Sequence, residues 1–212
     1  MNSAKTTKKF YQKLGAAGMA QLTSLVRDRA YIKFLAKNLP KKGMILDCAC
    51  GYGRLTIPLA KLGFDICGID LSSCLIKEAR RQAKKEKLVI DFKTGDMCRL
   101  PYKDNAFAAV ICMWSSFSHL LTEEDQLQAL NEMLRVIKPG SLILIDLPNP
   151  TRIRIDACRL CHETIGGIEN VVYIHDRKTM AHLLDDIHVG TYVIKKRSIG
   201  KKVRLMVEIR KN

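Results

Sequence analysis

The strongest constraint on this chain is the stretch Met44-Ile45-Leu46-Asp47-Cys48-Ala49-Cys50-Gly51-Tyr52-Gly53-Arg54, where a short apolar run ends in an acid and passes into a loop of small residues. Such a run reads as a buried strand, and glycines directly after it let the backbone turn tightly and approach a ligand. Apolar positions resume at Leu55, Ile57, Leu59, Ala60 and Leu62, so the loop feeds a helix whose first amides face the same space. Strand, loop and helix together predict a nucleotide-type pocket. A phosphate-cradling loop needs Gly-Lys-Ser/Thr at its end, which Gly53-Arg54-Leu55 does not supply, and a dinucleotide fingerprint asks for a third glycine where Thr56 stands.

What remains, an acid followed by small-x-Gly-x-Gly, resembles motif I of the class I S-adenosylmethionine-dependent methyltransferases, with Ala49 where that family most often has glycine. Further segments follow in the family's order. Residues 63–72 read as a second strand ending in Asp70, 19 residues after Gly51, with Ser72 or Ser73 capping the next helix. A carboxylate at that strand end can accept both hydroxyl hydrogens of a ribose. Residues 88–97 give a third strand and a second acid, Asp96; residues 106–113 a fourth strand; residues 127–137 an amphipathic helix. Lys138-Pro139-Gly140-Ser141 is then the turn into a fifth strand over 142–147.

The resemblance spans residues 44–147 and implies an α/β fold, a three-layer αβα sandwich around a mostly parallel seven-stranded sheet whose last strand is antiparallel. It implies S-adenosylmethionine as cofactor. Asp47, Ala49, Gly51 and Gly53 then form its loop, and Asp70 with Leu71 holds the ribose. Asp96 accepts from the adenine amine, Met97 lies against the ring, and Met113 ends the fourth strand beside the site. Tyr11 is the position matching an early tyrosine over the methionine moiety, and Arg27 matches an arginine near its carboxylate. Transfer in this family is direct displacement with no universal catalytic residue. Acceptor contacts are therefore sought in Cys112-Met113-Trp114-Ser115-Ser116-Phe117-Ser118-His119, because loops at the carboxyl ends of parallel strands face the pocket. His119 is the base this loop offers. The chain has no Asp/Asn-Pro-Pro-aromatic after the fourth strand and no Pro-Cys pair, so a small-molecule acceptor is favoured over nucleic-acid amines or cytosine carbon.

The 212 residues read as one domain: an N-terminal helical segment over 1–42, a cofactor-binding core over 43–150, a substrate-side insertion over 151–176, and a helix with terminal strands over 177–212. Within the insertion Ile153, Ile155 and Ala157 alternate with Arg152, Arg154 and Asp156 as in a half-exposed strand. The net charge of +15 sits on the flanks: residues 1–42 carry ten Lys/Arg against one acid, residues 151–212 thirteen against seven, and the core thirteen of each. If those flanks border the opening, they draw in an anionic substrate or RNA. An RNA methyltransferase and a non-catalytic scaffold on the same fold are the alternative readings. Cys158-Arg159-Leu160-Cys161-His162 matches a haem-attachment pattern and half a zinc site, but no second Cys-x-x-Cys supplies partners, so no metal is expected. No apolar run approaches the ~18 residues of a membrane helix, and the lysine-rich start lacks a signal-peptide centre, which predicts a cytoplasmic protein.

Overall fold

The computed structural model describes residues 2–21, 25–149, 159–187, 189–200 and 202–212, with side chains in the second helix from Asp28 onward. Two helices, α1 (Ser3–Gln21) and α2 (Leu25–Asn38), precede the first strand. There follow β1 (Ile45–Cys48), α3 (Thr56–Lys61), β2 (Ile66–Asp70), α4 (Ser73–Lys85), β3 (Phe92–Thr94) and β4 (Phe107–Cys112). A 3-10 turn (Ser116–His119), α5 (Glu123–Val136) and β5 (Ile137–Pro148) lead to a hairpin of β6 (Leu160–Ile165) and β7 (Ile168–Tyr173). The described chain closes with α6 (Arg177–Asp186), β8 (Thr191–Ile199) and β9 (Lys202–Arg210).

Seven strands form one sheet in the order β3-β2-β1-β4-β5-β9-β8. Strands β1 to β5 pair in parallel, and β9 runs antiparallel between β5 and β8, as the resemblance implied. Every residue of β1 and β2 is buried, because helices cover both faces of a parallel sheet and an uninterrupted apolar run can then be buried along its length. Alternate residues serve opposite layers. Ile45, Ala109 and Leu144 meet Tyr31 and Leu35 of α2 and Leu59 of α3, whereas Leu46, Val110 and Ile143 meet Leu130 and Met133 of α5 and Leu183 of α6. Helix α4 seats Ile76, Ala79 and Ala83 against Phe92 of the edge strand.

Several boundaries differ from the sequence reading for local reasons. The third strand shrinks to three residues because 86–88 are the exit of α4: Lys87 takes a left-handed φ of 57° and Leu88 N–H returns to Ala83 O at 2.9 Å. Lys138-Pro139-Gly140 is not a turn before the fifth strand but lies inside β5, where the pairing with β4 shifts register and Gly140 N–H donates to Lys211 O. Helix α5 starts four residues early because the Thr122 hydroxyl accepts from Asp125 N and three acids occupy its first turn. Helix α6 starts at Arg177, behind a capping box of Asp176 and Thr179. Ser72 does stand at the N-cap of α4, yet its side chain makes no cap hydrogen bond. The alternating segment 152–157 lies outside the described residues, and no described helix is long and apolar enough to cross a membrane.

Candidate functional site

Parallel pairing brings the carboxyl ends of β1, β2 and β4 together, and they open into one cavity of about 410 Å³. Its floor is the loop after β1, and its walls come from the loops after β2, β3 and β4. α1 and the β6–β7 hairpin lie over it.

Asp70 closes the tip of β2 toward that loop. Its Oδ2 accepts Gly51 N–H at 2.8 Å and its Oδ1 accepts Ser72 N–H at 2.8 Å, so two backbone amides fix the carboxylate and leave lone pairs on both oxygens. Burial outweighs these bonds and raises the Asp70 pKa to about 6. Gly51 has φ 57°, and a Cβ built there would meet nothing within 4 Å, so the position opens directly onto the cavity. Ala49 shares the left-handed conformation at φ 63°. Asp47 is pushed up to about 7 by burial, against the Thr56 hydroxyl that donates to it at 2.6 Å.

Leu71, Asp96, Met97 and Met113 all line the cavity, with Asp96 Oδ1 accepting Cys98 N–H at 2.9 Å. Gly53 does not. It faces the protein, where a Cβ would lie 2.9 Å from Ile57 Cδ1 and 3.2 Å from Phe92 Cζ, so its lack of a side chain serves packing of the loop on α3. The Arg27 side chain lies outside the described residues. The arginine that does line the cavity is Arg54, whose guanidinium is 3.6 Å from the Trp114 ring centroid and 3.5 Å from Asp28 Oδ1. Its place inside the glycine loop was the available signal.

The opposite wall is built around His119, the last residue of the 3-10 turn. Its Nε2 is 2.9 Å from the Tyr11 hydroxyl on α1, and its Nδ1 has no hydrogen-bond partner among the described residues. Burial lowers the His119 pKa to about 4, which keeps the ring neutral near pH 7. Burial, with the charge of Asp70, holds the Tyr11 phenol above its ordinary range. Tyr11 thus stands at the junction of the two halves of the cavity.

The loop carrying His119 has two consecutive left-handed residues, Trp114 at φ 61° and Ser115 at φ 63°, which a non-glycine pair adopts only when its surroundings hold it. Asp146 does so. This fully buried acid near the end of β5 accepts Trp114 N–H at 3.0 Å, the Tyr31 hydroxyl at 2.7 Å and Arg204 Nε at 2.7 Å, while Arg204 Nη2 also bonds Ser115 Oγ. The sequence reading passed over Asp146, although an acid closing the run Leu142-Ile143-Leu144-Ile145 repeats the pattern at Asp47 and Asp70.

It also missed the β6–β7 hairpin. Gly166 and Gly167, at φ 56° and 76°, make a two-residue turn between paired Ile165 and Ile168, and Gly-Gly between apolar residues is a hairpin signature. Asn170 Nδ2 donates to Glu163 Oε1 at 2.7 Å across this hairpin, on the face that lines the cavity. The two flanks do border the cavity, through α1 and the β6–β7 hairpin, but little of their basic charge faces it among the described residues. Among the described residues, five carboxylates (Asp47, Asp70, Asp96, Asp125 and Glu163) line the cavity against two strong cations, Lys8 and Arg54, of which Lys8 comes from a flank. Cys158 lies outside the described residues; the described cysteines are free thiols, and burial pushes those of Cys48, Cys50 and Cys112 well above their ordinary range.

Residues 45–140 match a protein family described as "Methyltransferase domain". Over 123 residues the chain is 33% identical to a putative methyltransferase, YqeM, of Bacillus subtilis, a match covering 58% of this chain and 49% of that protein. The chain spans about half the length of the curated relatives it matches. Among solved structures, the PH0226 protein of Pyrococcus horikoshii superposes with a TM-score of 0.74 at 20% identity, covering 96% of this chain and 99% of that one. The magnesium protoporphyrin IX methyltransferase of Synechocystis, solved with bound S-adenosylmethionine, gives 0.69 at 17% identity, covering 100% and 98%.

Proposed function

We propose that this chain, whose residues 45–140 form a methyltransferase domain on the class I Rossmann-like fold, transfers a methyl group from S-adenosylmethionine to a small-molecule acceptor. The observation that carries this reading is the coupling of Asp70 to Gly51: a strand-end carboxylate, fixed by backbone amides, beside a glycine whose missing side chain opens onto the cavity. When bound, S-adenosylmethionine supplies a methyl group activated by attachment to a positively charged sulfur.

The chain's own residues hold, orient and enclose. The lone pairs left on Asp70 accept ribose hydroxyls, Asp96 accepts from an amine edge, and Leu71 and Met97 offer apolar surface to a ring. The excess of carboxylates favours a cationic ligand over an anionic one. α1 covers the cavity with Phe10 and Tyr11 and excludes water, so that alignment and proximity supply most of the acceleration. His119, neutral and anchored to Tyr11, is placed to take the proton an acceptor releases.

A cavity of about 410 Å³, partly covered by α1 and the β6–β7 hairpin, suits a small molecule, and one structural neighbour is named for a porphyrin. An RNA acceptor has the basic flanks in its favour, but the cavity lining opposes a polyanion. The free thiols suit a reducing compartment such as the cytoplasm. The test is transfer of labelled methyl from S-adenosylmethionine into an RNA-free, protein-free metabolite extract. Label is expected in a small product with the wild-type chain and not with Asp70→Ala; label only in added RNA, or in nothing, overturns the reading.

A further inference from the structure

We propose that the inner face of the β6–β7 hairpin is the acceptor subsite and that Glu163, held by Asn170, selects acceptors bearing an amine. The proposal deepens the methyl-transfer reading above and rests on it for the identity of the other ligand. It begins with the pattern of the hairpin. Residues alternate between its two faces, and the face toward the cavity carries Cys161, Ile165 and Val172 with one polar pair, Glu163 and Asn170, directly opposite each other in register. Asn170 is 4% exposed and its amide donates to Glu163 Oε1 at 2.7 Å, which fixes the carboxylate of the exposed Glu163 at the rim of an otherwise apolar wall.

No cation pairs with Glu163 among the described residues, so its charge is available to a ligand. That charge reaches the Tyr11 phenol and helps to push it up, which puts the hairpin carboxylate and the Tyr11–His119 pair around the same space. His119 is held neutral by burial, so the base wall presents no fixed cation against an incoming ammonium. Of the two cations that line the cavity among the described residues, Arg54 lies between Asp28 and the Trp114 ring, and Lys8 is exposed on α1. An acceptor with an apolar body fits against Ile165 and Val172 while its N–H groups donate to Glu163. A carboxylate-bearing acceptor meets like charge instead and is rejected.

The experiment is calorimetric titration of the full chain, with and without saturating S-adenosylhomocysteine. The ligands are butylamine, phenethylamine and tryptamine, each against the carboxylate of matching body: valerate, 3-phenylpropionate and 3-indolepropionate. At least one amine is expected to bind about tenfold or more tightly than its carboxylate partner. Glu163→Gln should lose that preference at unchanged S-adenosylhomocysteine affinity and unchanged melting temperature, and Glu163→Lys should shift it toward the carboxylate. Binding of no amine, equal binding of the carboxylates, or undiminished amine binding by Glu163→Gln overturns the proposal. S-adenosylhomocysteine binding without amine preference defeats the subsite alone, whereas amine preference in a chain that does not bind S-adenosylhomocysteine supports the subsite and defeats the methyl-transfer reading.

Discussion

At Asp70 burial and hydrogen bonding pull in opposite directions, and burial prevails. Its pKa is about 6 in the folded chain, above the ordinary ~4, so its contribution to stability is fully present below pH ~4 and is lost as pH rises through about 6. Ligand binding has the opposite requirement, because an acceptor for ribose hydroxyls works best ionised. Asp70→Asn sets an amide donor against one of the two backbone N–H groups that the carboxylate accepts, so it should weaken S-adenosylhomocysteine about tenfold or more without raising the melting temperature at pH 8, measured by calorimetry and differential scanning fluorimetry. In the wild-type chain that affinity should fall between pH 8 and pH 5 as Asp47 and Asp70 take up protons near 7 and 6. His119 runs the other way: its pKa of about 4 lies below the ordinary ~6.5, so its contribution to stability is present above pH ~6.5 and is lost as pH falls through about 4. His119→Gln should lower turnover about a hundredfold with little change in cofactor affinity. A rate profile with a histidine limb near pH 6.5 that this variant removes would contradict a buried neutral base.

Among the elements, the loop after β4 and the β6–β7 hairpin are the proposed acceptor side, and both depend on features outside the cofactor motif. Asp146 holds the left-handed Trp114–Ser115 pair and receives Arg204, so Asp146→Ala leaves a nearly buried guanidinium without its carboxylate. A loss of about 3 kcal/mol or more is expected in urea unfolding, together with lower turnover. Gly167, at φ 76°, turns the hairpin, and Gly167→Ala should cost about 1–2 kcal/mol locally, seen as faster amide exchange across β6 and β7 and weaker acceptor binding. The parallel strands were readable because burial on both faces forces uninterrupted apolar runs, and Asp70 was readable because it ends one of them at a fixed distance from Gly51. The third strand was misplaced because α4 runs on to a left-handed Lys87 at its exit, and the turn at 138–141 because the irregularity inside β5 is decided by its pairing with β4. Glu163 and Asn170 do not stand out in the sequence, since only the hairpin register sets them face to face.

For the whole molecule, total charge and local charge diverge. The chain carries +15, yet among the described residues its cavity is lined by five carboxylates and two strong cations, so the net charge does not carry over to the described part of the site. The architecture was legible because several separately placed motifs agree on one fold, whereas the acceptor was not, because the proposed direct displacement requires no fixed catalytic residue. Binding of the S-adenosyl cofactor by the Asp47–Gly53 loop and Asp70 can be read by titration calorimetry at pH 8 with S-adenosylmethionine, S-adenosylhomocysteine and NAD. One-site binding of both adenosyl compounds, none of NAD, and loss of binding in Asp70→Ala is the predicted result; no heat with either adenosyl compound, or binding that Asp70→Ala leaves intact, would contradict the account.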